Sequence, residues 1–145
     1  LYLLDARRGS DVATTSFGGL PPLAEPEGIC LAWRDLKRTF YPADLPVVLG
    51  RSSQATYTVD DRRVSRSHAR IDWHGGTFQL TDLSYNGTYV RFDNDPEIIS
   101  LRRGTCTLHG SGVIGLGGSP ADVSAATVKF EVVHFGDTQP RDTLG

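Results

Sequence analysis

Methionine is missing from this sequence altogether, which suggests a piece cut from a longer protein. Long apolar runs are missing too. No stretch approaches the roughly 20 residues that a membrane-spanning helix needs, and nothing resembles a signal peptide. Cysteine is scarce: Cys30 and Cys106 lie far apart, without partners at metal-ligand spacing. Each sits in an apolar stretch, where a buried reduced thiol is the commoner outcome, so free thiols in a reducing, cytoplasmic compartment are expected. A large charge of either sign is also lacking. The net charge of -2 argues against bulk electrostatic binding to nucleic acid or an anionic membrane, so any anion binding must be local.

What is present describes one ordinary domain. A chain of 145 residues, 39% apolar and 22% charged, can bury a real core and still have loose ends. Residues 1–28 read as a linker or the tail of a preceding domain, broken by Gly18-Gly19 and Pro21-Pro22 and closed by Pro26-Glu27-Gly28. From Ile29 the pattern changes. Ile29, Leu31 and Trp33 alternate as in a half-buried strand; Arg34-Asp35-Leu36 is a turn, and Lys37 to Tyr41 a partner strand. Val47 to Leu49 and Tyr57 to Val59 are brief strands.

The clearest local signal comes next. Ala69, Ile71 and Trp73 alternate with polar residues, Gly75-Gly76 follows, and Phe78 and Leu80 resume the alternation. Two such runs around a Gly-Gly pair predict a tight hairpin, because both central residues can take positive φ. Asn86-Gly87 and Asn94-Asp95-Pro96 mark further turns. Strands over Thr88 to Val90, Ile98 to Leu101, Cys106 to Leu108, Val113 to Leu116 and Val128 to Val133 complete the series. No stretch sustains a 3.6-residue period. The predicted fold is therefore an all-β antiparallel sandwich of many short strands over 29–134, followed by a disordered tail at 135–145.

Chemistry concentrates in Asp60 to Arg70, where four arginines, two serines and a histidine crowd together. Charge alone would make this a solvated basic loop. Arginine forks and hydroxyls nevertheless suit phosphate oxygens. A catalytic triad can be imagined from Ser65, His68 and one of Asp60, Asp61, Asp72 or Asp82, but no motif announces an oxyanion hole. A structural His68, bonding loop backbone, is the preferred reading, and no enzymatic activity is expected. The histidines at 68, 74, 109 and 134 lack the paired spacing of metal sites. Gly115-Leu116-Gly117-Gly118 has neither the lysine nor the following helix of a phosphate-cradling loop. No metal or cofactor is expected.

Gly50-Arg51, then Val64-Ser65-Arg66-Ser67-His68-Ala69, then Asp82 to Val90 around Ser84-Tyr85-Asn86-Gly87-Thr88 resemble, in order and spacing, the forkhead-associated domain family. Leu101-Arg102-Arg103-Gly104 and Val113 to Gly117 look like that family's closing strands, so the resemblance spans about Ile29 to Val133. It implies a β-sandwich that binds phosphothreonine peptides through loops at one end. By motif, Arg51 would pair with the phosphate, Ser65 would donate its hydroxyl, and Arg66 would line the pocket or hold peptide backbone. Asn86 would grip the peptide main chain. Gly50, His68, Gly87 and Thr88 would be scaffold. Two positions depart from the pattern. Tyr85 stands where the family usually has a small threonine or serine that contacts the peptide, and Thr105 stands where it often has an acidic residue.

The resemblance further implies a module of a larger, bacterial-style signalling protein. Its partner would be a phosphothreonine-containing protein marked by an upstream Ser/Thr kinase, with neither nucleic acid nor membrane involved. The alternative is an interaction or self-association module that no longer depends on phosphate, and Tyr85 is the feature that favours it.

Overall fold

The computed structural model describes residues 26–134; the readings for 1–25 and 135–145 lie outside them. Eleven strands follow one another among these residues: β1 Pro26–Trp33, β2 Leu36–Phe40, β3 Val47–Gly50, β4 Tyr57–Thr58, β5 Ala69–His74 and β6 Thr77–Asp82, then β7 Thr88–Phe92, β8 Ile99–Leu101, β9 Thr105–Leu108, β10 Ser111–Leu116 and β11 Ala126–His134. Helical structure there is confined to one 3-10 turn at Pro42–Asp44. β1 opens at Pro26, ahead of the alternation that starts at Ile29, because Pro26 already lies opposite His134 of β11.

Two sheets form the sandwich. One has six strands in the order β8-β7-β10-β11-β1-β2, the other five in the order β9-β6-β5-β3-β4. Each strand turns its apolar alternate residues inward: Ile29 and Leu31 from β1, Ile71 from β5 and Leu80 from β6 are fully buried. The predicted hairpin is β5–β6, with Ile71 opposite Leu80 and Trp73 opposite Phe78, whose rings meet edge-on at 4.9 Å. Gly75 and Gly76 take φ of 62° and 81° in its turn, a region that side chains with a Cβ avoid.

The sheets are not wholly antiparallel. β3 and β4 pair in parallel, Leu49 beside Tyr57. β4 is two residues long, too short for any period to show its direction. Tyr57 also joins the two sheets at this edge, its hydroxyl donating to the Leu36 carbonyl of β2 at 2.5 Å. Burial pushes the Tyr57 phenol up to about 12. The cysteines are free, as expected, but half-buried rather than buried, Cys30 in one sheet and Cys106 in the other.

Register decides where the loops go. Because β4 runs parallel to β3, both leave the sheet at the same end, into Arg51 and into Val59. Leu49 lies opposite Ala69 and Ala69 opposite Asp82, so β5 begins and β6 finishes at that end. Leu101 and Leu116 both lie opposite Thr88, which brings the turns after β8 and β10 to the same place. Five connections (51–56, 59–68, 83–87, 102–104 and 117–125) therefore gather at one end of the sandwich.

Candidate functional site

The five loops are held to one another by backbone. Arg51 N–H donates to the Ser65 carbonyl at 2.9 Å and Ser52 N–H to that of Arg66 at 3.3 Å. At Gly50 the chain passes so close to Arg66 that a Cβ would run into its backbone carbonyl. Only glycine fits this approach. It brings Arg51 against the loop carrying Ser65 and Arg66, the three residues assigned to phosphate from the sequence.

Arg51 is exposed, and its Nε donates to the Val64 carbonyl at 3.0 Å. That bond orients the guanidinium and leaves both terminal nitrogens for a ligand. Ser65 is half-buried; its Oγ accepts the Tyr85 N–H at 3.2 Å, so its own hydroxyl proton can turn to a ligand. Arg66 is exposed beside them. Tyr85, at 91% exposure, projects into solvent on the far side of the Ser65 contact. Asn86 is exposed as well, but its amide already donates to the Arg63 carbonyl at 3.2 Å.

His68 lies at the centre of this arrangement and is fully buried. Its Nδ1 accepts the Ser65 N–H at 2.9 Å. That fixes the proton on Nε2, which donates to the Gly87 carbonyl at 2.9 Å. One neutral ring thereby joins the loop before β5 to the loop before β7. Burial holds the imidazole below its ordinary pKa, only partly offset by the Gly87 bond and the Asp82 charge. The unfolded ring takes up a proton near pH 6.5 and the folded ring only below that. His68 should therefore contribute stability that is full above about pH 6.5 and is lost as the pH falls toward the folded pKa. Urea unfolding between pH 7 and 5 should show this slope in the native chain and not in a His68→Gln variant. Equal slopes would place the titrating group elsewhere.

Several organising residues received no scaffold role from the sequence. Asp82 is 2% exposed, and its Oδ1 accepts Ser84 N–H at 3.0 Å, Ser84 Oγ at 2.6 Å and Thr88 Oγ1 at 2.7 Å. Its Oδ2 accepts Arg103 N–H at 2.9 Å. Burial alone would raise this carboxyl, but the donors together outweigh it and hold it below the usual range. Ser84 Oγ in turn accepts Gly87 N–H at 2.7 Å. The Asp-x-Ser spacing was the one available hint, as it allows a side-chain-to-backbone turn. On the other flank, Arg63 reaches Ser124 Oγ at 2.8 Å and Asp122 at 3.1 Å, fastening the loop before β11 to the basic loop. Ser124 and Arg63 hold the Asp122 carboxyl at about 2.

No three or more His, Cys, Asp or Glu side chains cluster as metal ligands among the described residues. Nor is any helix of the described residues long and apolar enough to cross a membrane. The geometry instead offers one oriented arginine, a second exposed arginine, a serine hydroxyl and an exposed amide, which suits an anionic ligand with several acceptor oxygens.

Residues 47–109 match the family model described as FHA domain. The match spans β3 to β9, and hence four of the five loops. No curated protein matches the chain. Among solved structures, Mycobacterium tuberculosis Rv1747 FHA-1 is 23% identical, with a TM-score of 0.57 over 74% of this chain and 97% of that one. A domain from a structural and functional analysis of phosphothreonine-dependent FHA domain interactions is 29% identical, with a TM-score of 0.52 over 73% of this chain and 97% of its own. The N-terminal FHA domain of S. cerevisiae Rad53p, solved with a phosphothreonine peptide, is 15% identical; its TM-score is 0.59 over 73% of this chain and 94% of its own. The first and third likenesses are of fold alone. They extend the match to strands outside residues 47–109.

Proposed function

Since the chain carries a forkhead-associated domain, we propose that its loop end binds phosphothreonine peptides, with Arg51, Ser65 and Arg66 on the phosphate and Asn86 on the peptide main chain. The observation that carries this reading is the backbone clasp between Arg51 and Ser65, which brings a fork donor and a hydroxyl to one spot without help from a ligand. Phosphothreonine offers about two negative charges and three acceptor oxygens. Charge-assisted bonds to it contribute roughly 1.5–3 kcal/mol each, and preorganised loops lose little entropy, so affinity near about 1 μM is expected. Asn86 can release Arg63, or add a peptide contact with its remaining amide proton and oxygen. The domain acts as a non-enzymatic module of a larger signalling protein, downstream of a Ser/Thr kinase.

One peptide carrying phosphothreonine, phosphoserine or glutamate, titrated at two pH values, tests the reading. Phosphothreonine should bind best, exceeding phosphoserine by more than the ~0.8 kcal/mol of one buried methyl. Glutamate, with one charge and a planar head, should fail. Binding should weaken from about pH 7.5 to 5.5, because the second phosphate pKa is near 6 while arginine stays charged. His68 acts in the same direction, since a proton on Nδ1 would displace the Ser65 N–H. Equal binding of the phosphothreonine and glutamate peptides would remove phosphate recognition. It would leave the phosphate-independent alternative, for which the exposed Tyr85 ring offers a contact surface.

A further inference from the structure

A second basic feature faces the same end of the sandwich and is not used by the phosphate contacts above. The turn between β8 and β9 places Arg102 and Arg103 beside a cleft of about 280 Å³, lined also by Asp82, Ser84, Tyr85 and Gly87. Both arginines are exposed, and neither guanidinium has a hydrogen-bond or ion-pair partner among the described residues. Arg103 moreover takes φ of 62°, a left-handed conformation that a residue with a Cβ resists and that glycine adopts freely. Its N–H is fixed there by Asp82 Oδ2. An unpaired arginine at a position better suited to glycine points to use of the side chain.

Tyr85 is the wall shared with the phosphate site. Its backbone N–H donates to Ser65 Oγ on one side, while the residue lines the Arg102–Arg103 cleft on the other. Resting on the phosphothreonine reading, the geometry points to a second anion subsite at Arg102 and Arg103, which takes an acidic side chain of the same peptide, flanking the phosphothreonine. The Asp82 carboxylate at the base of the cleft opposes an anion only weakly. It is buried and its charge is taken up by donors from Ser84, Thr88 and Arg103. Two exposed guanidinium forks remain to set the sign of the cleft. A carboxylate and a phosphate both match such a pair, the phosphate with more charge.

The test titrates the chain with one phosphothreonine peptide in which glutamate or phosphoserine replaces alanine at each flanking position in turn. At one position the acidic residue should tighten binding about tenfold, as one charge-assisted contact would. Whether glutamate or phosphoserine gains more there tells which source of negative charge the subsite prefers. Arg102→Ala combined with Arg103→Gly, which keeps the left-handed turn, should remove that gain and leave the alanine-flanked peptide bound as before. Arg102→Gln alone, at a side chain without partners, should reduce the gain, again leave the alanine-flanked peptide bound as before, and gives a second variant should the first not fold. The subsite is overturned if no position shows a gain, or if the gain survives both variants. It is equally overturned if the variants weaken the alanine-flanked peptide as much, since the arginines would then be reading the phosphothreonine itself. Failure of the native chain to bind the alanine-flanked peptide would instead sink the phosphothreonine reading, and this subsite with it.

Discussion

Arg51→Ala should abolish measurable phosphothreonine binding and leave the domain folded. The side chain is exposed and makes one bond to protein, from Nε to the Val64 carbonyl at 3.0 Å. The fold at this point depends on the backbone, where Arg51 N–H meets the Ser65 carbonyl and Gly50 lies against Arg66. Alanine keeps both. A bound phosphate, by contrast, would lose a charge-assisted contact and be left with an unpaired oxygen, at a cost of at least about 2 kcal/mol. Arg51→Lys should recover only part of this, because an ammonium has no fork to span two oxygens. Titration calorimetry on variants with an unchanged thermal midpoint is the measurement. Unchanged affinity in Arg51→Ala would mean that the phosphate pocket lies elsewhere on the loop end.

Asp82→Ala should have the largest effect on stability. Four donors converge on this buried carboxylate: Ser84 N–H, Ser84 Oγ, Thr88 Oγ1 and Arg103 N–H. Stranding buried donors costs about 1–3 kcal/mol each when they find no other partner, and breaking a buried charged network typically costs about 3–5 kcal/mol in all. For a domain whose total stability is of order 5–15 kcal/mol, that is a large share. The damage should also reach the site. Ser84 holds Gly87 N–H, and the Gly87 carbonyl accepts both His68 Nε2 and Gly117 N–H. Loss of Asp82 therefore loosens the turn carrying Asn86 and, through His68, the backbone of Ser65. Asp82→Asn keeps the shape but turns an NH2 toward donors, so an intermediate loss is expected. Urea unfolding of the two variants decides, and a loss below about 1 kcal/mol for alanine would show that the network is not a unit. Since the folded carboxyl titrates below its usual range, the same stability should fade in the native chain as the pH drops below about 4.

Local rules made much of the sandwich legible. The β5–β6 hairpin could be read from alternation on both sides of Gly75-Gly76, because side-chain period and turn conformation are properties of neighbouring residues. β7 and β10 began or ended within a few residues of their predicted limits for the same reason. The expected antiparallel pattern failed only at β3–β4, where the second strand has two residues. Direction there comes from the β-sheet as a whole. The basic loop, Arg51 and Asn86-Gly87 stood out as motifs in the chain, and their order carried the resemblance to a family.

The sequence alone thus determined strand positions, turn positions and the residue types available to an anion. The tertiary structure decided what those residues touch. That His68 bridges Ser65 and Gly87, that Asp82 gathers donors from three segments, and that Asn86 is tied to Arg63 all depend on contacts between loops distant in the chain. Arg102 and Arg103 looked like part of a closing turn, and became a candidate subsite only when register brought that turn beside Tyr85. Periodicity is set by each residue and its neighbours, whereas a site is set by which strand ends share one edge of the sandwich, and that is fixed only when both sheets have paired and packed.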